Sequence, residues 1–308
     1  MKLVQVLMST YNGEQYLNEQ IESLLAQDYE NVQILIRDDG SKDSTPELLK
    51  EWAQHPQIRV FFEENVGVVR SFFKLLSYSS TEASYFAFCD QDDVWMKEKL
   101  SRAVRLLSDR EREEEIPLLY CSTALCVDEY LNPMTVTAKP KHGVTFENAL
   151  VETVAAGCTM IINSITRELL IKDPPSKRVM SIIRYHDWWI LQVASALGQV
   201  IFDDEPMICH RRHSRNVSGQ EVGLGKWKYR LKKFLASEKI VPLTEQAEEF
   251  KRIYGDMLSP EKLHVLNRLI NDRKTLTGRL RYALTGPTYR QSRIDDLIFR
   301  LMIIMNKV

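Results

Sequence analysis

The stretch YFAFCDQDDVW, residues 85–95, decides how the rest of the chain is read. Its apolar half has the length and composition of a buried strand, and it runs directly into Asp90, Asp92 and Asp93. Carboxylates gathered at the end of a buried strand repel one another, so their placement is costly unless a cation or a proton sits between them. Upstream, LVQVLM (3–8), VQILI (32–36) and IRVFF (58–62) read as three further strands. Between them lie helical-period segments, EQYLNEQIESLLAQ at 14–27, STPELLKEWA with a Ser/Thr–Glu capping signature, and VGVVRSFFKLLSYS; KEKLSRAVRLLSD follows the acidic loop. Alternation of this kind predicts an α/β fold, a mostly parallel sheet with helices on both faces. Ligands of such sheets bind beyond the carboxyl ends of the strands.

That rule collects four polar tips on one edge. They are Ser9-Thr10-Tyr11-Asn12-Gly13, Arg37-Asp38-Asp39-Gly40-Ser41, Glu64-Asn65-Val66-Gly67 and Asp90-Gln91-Asp92-Asp93. Asp90-x-Asp92 offers hard oxygen donors suited to Mg²⁺ or Mn²⁺ with a diphosphate as co-ligand, although a solvated acidic loop has the same local sequence. Asp39 would accept the imide N–H of a uracil or thymine ring, or serve only as a turn former in DDGS. Thr10, Tyr11 and Asn12 would stack on or bond a nucleoside, or simply cap a helix. No GxGxxG follows the first strand and GxxxxGK[ST] is absent, so dinucleotide binding and a P-loop are set aside.

Composition bounds the class. The 308 residues are 44% hydrophobic and 27% charged, which suits a globular protein with a sizeable core. Five cysteines without CxxC spacing read as reduced thiols, and no signal peptide or apolar run long enough to span a bilayer occurs, so the expected location is cytoplasmic. After about residue 115 the pattern is mixed: PLLYCSTALCV (117–127) and GCTMII (157–162) read as strands, HDWWILQVASALG (186–198) as a helix, and VIFDDEPMICHRRHSRN (200–216) as a strand with a basic tail. The formal charge of −1 divides into about −10 for residues 1–223 and about +9 for 224–308. In the basic part, Lys226, Lys228, Arg230, Lys232 and Lys233 interleave with Trp227, Tyr229, Leu231 and Phe234, and an apolar stripe runs from Ile294 to Met305. Such helices would lie on an anionic membrane surface, pack on a second subunit, or only cover the sheet domain. Nucleic acid has no role at the acidic edge.

In order and at these intervals, MSTYNGEQYL, RDDGS, NVGVVRSF, FCDQDDVW, AAGCTMI, YHDWW and HRRHSRNVSG resemble the family 2 glycosyltransferases of GT-A fold, nearest to the bacterial rhamnosyltransferases of cell-wall and capsular polysaccharide synthesis. The resemblance covers about residues 1–220, which implies a catalytic domain there and a helical extension over 221–308. It implies that Thr10, Tyr11 and Asn12 hold the nucleoside, Asp39 the pyrimidine and Asp90 the ribose side, that Asp92 and His213 bind the metal, and that Arg211 and Arg212 approach the diphosphate. Asp187 matches the catalytic base; His186 stands before it where many members have Glu, a variation found in the rhamnosyltransferase branch. The implied reaction is inverting transfer of L-rhamnose from dTDP-rhamnose, or of a sugar from a UDP donor, to a hydroxyl of a lipid-linked glycan, by an enzyme peripheral on the inner membrane face, with a homodimer allowed.

Two other classes fit parts of the sequence. FAFCDQDDV also matches the apolar strand and DxDxV of haloacid-dehalogenase phosphatases, in which the first Asp is a nucleophile, but three strand–helix units precede it here. A sugar-nucleotide-binding protein without catalysis would carry the same edge and give no role to Asp187.

Overall fold

A computed structural model of the chain describes residues 1–176, 180, 183, 185–213 and 243–308. The first half alternates as expected: β1 (Val4–Thr10), α1 (Leu17–Leu25), β2 (Val32–Asp38), α2 (Thr45–Trp52), β3 (Ile58–Phe62), α3 (Val68–Tyr78), β4 (Tyr85–Cys89), then a two-residue β5 (Val94–Trp95) and α4 (Lys99–Glu111). Next come β6 (Leu118–Ser122), β7 (Leu125–Val127), β8 (Pro133–Val136), α5 (Phe146–Ala149), β9 (Ile161–Asn163), α6 (Ser164–Lys172), α7 (His186–Leu197), β10 (Gln199–Asp203) and β11 (Ile208–Arg211). Four more described helices follow: α8 (Leu243–Tyr254), α9 (Pro260–Asn271), α10 (Leu276–Thr285) and α11 (Arg293–Ile304).

Seven strands form the main sheet in the order β10-β6-β9-β4-β1-β2-β3. All pairings are parallel except those of β9, which is antiparallel to both β4 and β6. Central β1 has no solvent face: Val4, Val6, Leu7 and Met8 are all fully buried, the run expected of a parallel strand covered on both sides. From the helices, Leu17, Ile21 and Leu24 of α1 and Leu100, Ala103 and Leu107 of α4 enter the same core cluster, each large aliphatic contributing about 1.5–3 kcal/mol. A second sheet, ordered β5-β11-β7-β8, attaches the acidic loop to the chain's later segments.

Three segments differ from their sequence reading. The apolar run 117–127 is two strands in different sheets, broken where Thr123 donates its N–H to the Asp203 carbonyl at 3.0 Å and its hydroxyl to the Asp204 carbonyl at 2.8 Å. GCTMII opens with a 3-10 turn, Gly157–Thr159, before the short β9. The supposed basic tail contains β11, which pairs antiparallel with β5 and parallel with β7.

The chain divides into two compact units, and the division is not one cut. One unit comprises Met1–Lys139, Val154–Pro174 and Tyr185–Arg212, with both sheets; the other comprises Pro140–Thr153, Pro175–Arg184 and His213–Val308. The expected boundary at 220/221 and the basic segment Lys226–Phe234 lie outside the described residues. Within the second unit, Phe250, Leu266, Leu269, Tyr282, Phe299 and Ile303 are buried. Its insert 140–153 is tied in by Gln291, whose Nε2 donates to the Gly143 carbonyl at 2.8 Å and to Asn148 Oδ1 at 3.0 Å. No helix among the described residues is long and apolar enough to cross a membrane.

Candidate active site

Strand order β4-β1-β2-β3 sets the four polar tips side by side at the carboxyl edge. Gln91 latches the first tip to the fourth: its Oε1 accepts the Thr10 hydroxyl at 2.6 Å and the Tyr11 N–H at 2.8 Å, and its Nε2 donates to the Tyr11 carbonyl at 3.1 Å. Asn12, at φ 50°, latches the first tip to the second, donating its N–H to Ser41 Oγ at 2.9 Å and accepting the Lys42 N–H at 2.8 Å. Asn is one of the few residues that takes that left-handed conformation readily. Thr10 is therefore buried as a brace, while the Tyr11 ring is 44% exposed and available to a ligand.

Asp39 is buried, and Arg37 explains how a carboxylate can be. The fully buried guanidinium meets Asp39 Oδ1 through Nη1, Glu63 through Nε at 3.0 Å and the Glu64 carbonyl through Nη2 at 2.8 Å. Asp39 also accepts the Val66 and Gly67 N–H groups at 2.8 and 2.9 Å. Bonds from Lys74, Tyr78 and Arg37 hold the Glu63 carboxyl down at about 2.

The fourth tip is more strained electrostatically. Burial, then the charges of Asp93 and Asp92, push half-buried Asp90 up to about 7. Asp93 is fully buried, yet the facing His210, with Nδ1 at 3.0 Å, and the Arg211 N–H at 3.0 Å outweigh burial and keep it below its ordinary value. Arg211 clamps the loop: Nε donates to the Asp92 carbonyl at 3.0 Å, Nη1 to the Glu129 carbonyl at 2.6 Å and Nη2 to Glu19, with the guanidinium 4.4 Å above the Tyr16 ring. Arg212 is half-buried, its Nη2 3.7 Å from the Cys126 sulfur. His213 is half-buried and belongs to the other unit.

Asp187 is the second residue of α7 and is 9% exposed. Its Oδ2 accepts the Gly157 N–H at 3.0 Å, whereas buried Oδ1 has no hydrogen-bond partner among the described residues. Burial raises its carboxyl to about 7, opposed only in part by the Trp188 and Gly157 N–H groups. Asp187 is close enough to Asp90 for its charge to be felt there, so base candidate and acidic loop share one site. Before it, His186 stacks on Phe72 with centroids 3.8 Å apart, and burial drives its pKa down to about 3, so the ring is neutral.

A divalent cation fits this donor set. Asp90 and Asp92 are carboxylates beside a third, Asp93, and the upward push on Asp90 is what a nearby cation relieves. Hard oxygen donors favour Mg²⁺ or Mn²⁺. The donor atoms of Asp93, Cys158 and His210 also lie within 4.8 Å of one another. That softer trio is a brace: Asp93 and His210 bond each other, and burial keeps the Cys158 thiol protonated, its pKa well above the ordinary value.

Four participants escape a reading of motifs. Gln91 and Arg37 lie inside recognised motifs as latches, Gly157 gives its amide to Asp187, and Lys99 is a fully buried cation beneath the loop. The only sequence signal for Lys99 was its position at the start of a helix, where the macrodipole disfavours a cation.

Residues 5–120 match the family model described as Glycosyl transferase family 2. An uncharacterized glycosyltransferase of Rickettsia typhi is 28% identical over 70% of this chain and 66% of its own length. The dTDP-rhamnosyl transferase RfbG of Shigella flexneri is 24% identical over 97% of this chain and 99% of its own. Among solved structures, S. aureus TarS 1-349 in complex with UDP-GlcNAc aligns with a TM-score of 0.54 at 17% identity, covering 100% of this chain and 89% of the 1-349 chain. The mannosyltransferase PcManGT from Pyrobaculum calidifontis, in complex with GDP-Man and Mn²⁺, aligns with a TM-score of 0.52 at 18% identity, covering 97% and 80%. The two alignments give this chain the GT-A fold.

Proposed function

The chain belongs to glycosyl transferase family 2, and from that premise we propose that it moves L-rhamnose from dTDP-rhamnose to a hydroxyl of a lipid-linked glycan, with inversion, using Asp187 as base. The observation that carries the chemistry is the Asp187 carboxyl itself, poised near 7 with Oδ1 unpartnered among the described residues. A sugar hydroxyl is too weak an acid to attack unaided, and a base with a pKa near the working pH serves it best. Asp187 Oδ1 takes the hydroxyl proton as the acceptor oxygen bonds to the anomeric carbon. On the opposite side the bond to the diphosphate breaks, and nucleoside diphosphate leaves.

The Tyr11 ring, Thr10 and Asn12 flank the nucleoside, and Asp39 lies beneath its pyrimidine edge. Asp90 and Asp92 would hold Mg²⁺ or Mn²⁺, which when bound neutralises charge on the leaving diphosphate. Arg212, less buried than Arg211, would approach the same group. The rhamnose assignment leans on RfbG, which aligns along nearly the whole chain. A UDP-sugar donor is the alternative within this reading, since Asp39 accepts alike from uracil and thymine.

The second unit gives the acceptor its setting. Leu276, Leu280 and Leu284 on α10 and Ile294, Leu297 and Leu301 on α11 are exposed, and residues 224–308 carry the chain's excess of positive charge. An apolar row in a part of the sequence with excess positive charge suits the cytoplasmic surface of an anionic membrane, where lipid-linked glycans reside. Sedimentation with anionic and neutral vesicles tests it: Leu280→Glu/Leu284→Glu is expected to remain in the supernatant, and a variant that sediments like wild type removes the membrane from the proposal. Concentration-dependent self-association lost in the same variant would point to a dimer.

The main test is release of nucleoside diphosphate from a panel of sugar nucleotides, with Mg²⁺ or Mn²⁺ and a rhamnose-terminated lipid-like acceptor. Acceptor-dependent dTDP release that chelation and Asp187→Asn both abolish is the expected result. Release only from a UDP-sugar overturns the rhamnose assignment, and full activity of Asp187→Asn overturns the base.

A further inference from the structure

Lys99 is fully buried although it opens α4, where the helix dipole and the loss of water both count against an ammonium. A chain does not keep a cation there without a compensating contact. The ammonium donates to the Cys158 carbonyl and rests 3.5 Å over the Trp95 ring. Burial, resisted by the surrounding Cys158, Cys89, Asp93 and Asp90, brings its pKa down to about 8.

The carbonyl it meets lies at a decisive point. Cys158 is the middle residue of the 157–159 turn, and the N–H of the preceding Gly157 is the group that holds Asp187 Oδ2. Thr159 closes the turn locally, donating its N–H to the Ala156 carbonyl at 2.9 Å and its hydroxyl to the same oxygen at 2.7 Å; Met160 donates its N–H to the Gly157 carbonyl at 2.8 Å, and the Cys158 sulfur lies 4.0 Å from His210 Nδ1. Lys99 is the long-range side-chain tether on the Cys158 carbonyl, reaching it from the helix that follows the acidic loop.

We infer that Lys99 is a positioning residue for Asp187: by pinning the Cys158 carbonyl it sets the 157–159 turn so that the Gly157 N–H holds one carboxylate oxygen and leaves the other for the acceptor hydroxyl. The inference rests on Asp187 being the base. A role as countercharge for the acidic loop alone would act on the leaving diphosphate instead, and the two roles separate experimentally. When the turn loosens, the Asp187 carboxylate loses a hydrogen bond to its charged form, so its pKa rises and the acid limb of the rate profile moves to higher pH.

The experiment compares wild type, Lys99→Met and Lys99→Gln by the pH dependence of kcat/KM and by the affinity for the nucleoside diphosphate product, with Asp187→Asn as reference. Lys99→Met keeps the stem and loses the donor; Lys99→Gln keeps a neutral donor. The expected result is a limb raised by roughly half a pH unit or more in Lys99→Met, a rate lowered roughly ten- to a hundredfold, and nucleoside diphosphate affinity within about twofold of wild type. Lys99→Gln should recover part of both changes. A limb that stays in place however far the rate falls, or an affinity that falls with the rate, overturns the inference. If Lys99→Met does not fold, Lys99→Gln and Trp95→Phe, which loosens the seat of the ammonium, must show smaller shifts in the same direction, and no shift in either overturns it. An active Asp187→Asn would show that the base assignment had failed first, independently of Lys99.

Discussion

The Gly157 amide approaches Asp187 so closely that a side chain at 157 has nowhere to go: a Cβ there would stand 2.7 Å from His186 Nε2, 3.0 Å from its Cε1 and 3.4 Å from Asp187 Cβ. His186 cannot yield, since it is stacked on Phe72 and leans on Phe88 at 5.5 Å. Gly157→Ala must therefore push the turn off Asp187. The expected outcome is a fall in kcat of roughly a hundredfold, the scale of a displacement of about 1 Å, with about 1–3 kcal/mol lost in denaturant unfolding. Product affinity unchanged and rate unchanged together would show that the turn tolerates the methyl and does not govern Asp187.

Asp187 also makes the stability of the fold depend on pH. Its folded pKa of about 7 stands above the ordinary value of 3.8, so the favourable term is complete below the unfolded value and is lost as pH rises through 7. Above pH 7 the wild-type protein holds a buried carboxylate with one oxygen unpartnered among the described residues. Asp187→Asn is expected to be more stable than wild type at pH 8 by on the order of 1–3 kcal/mol, and nearly equal to it at pH 5. Activity should move the other way, rising toward alkaline pH with an apparent pKa near 7 and falling roughly 100- to 10,000-fold in the variant. Thermal melts at the two pH values, beside rate profiles, check both halves.

Asp92 and Arg211 make separable predictions although they touch. Asp92→Asn removes a hard donor and should weaken metal activation by roughly tenfold or more while leaving the melting temperature nearly unchanged, because Asp92 is half-buried and its backbone carbonyl still receives Arg211. Arg211→Leu strands Glu19 and unlocks two carbonyls, and should cost stability first. Metal titration of turnover and thermal melts distinguish them; a stable Arg211→Leu with normal metal dependence would refute the clamp.

Most of the edge was legible because strand ends carry their signatures locally. YFAFC followed by DQDD, or VQILIRD followed by DGS, announces a buried strand and a polar tip within a dozen residues, and the parallel alternation then brings the tips together. What was not legible depends on distant partners. Nothing within 117–127 marks the break at Thr123, since it is made by the carbonyls of Asp203 and Asp204, about eighty residues on. Arg211 reads as part of a basic tail until β11 pairs between β5 and β7 and sets its guanidinium against Glu19 and Glu129. Lys99 resembles any lysine on an amphipathic helix until the Cys158 carbonyl arrives beside it.

Arg37 shows the same dependence and gives the last prediction. In the sequence it is one basic residue before DDGS; in the fold it is a fully buried cation with ion pairs to Asp39 and Glu63 and a bond from Nη1 to Ser71 Oγ at 2.9 Å. Ser71 in turn shares a hydrogen bond with Ser9 at 2.6 Å, so the guanidinium reaches the first tip through Ser71, the second through Asp39 and the third through the Glu64 carbonyl. Removing it leaves Asp39 buried with its charge uncompensated, a change that costs about 3–5 kcal/mol in comparable sites. Arg37→Met is therefore expected to lose that much in urea unfolding. Because Glu63 is held at about 2 in the fold, its share of the stability is present above its unfolded value and is lost as pH falls toward 2. The gap between wild type and Arg37→Met should accordingly narrow on acidification below pH 4. A gap that stays constant from pH 7 to pH 3 would mean that Arg37 has no part in holding the Glu63 carboxyl down, which Lys74 and Tyr78 would then do without it.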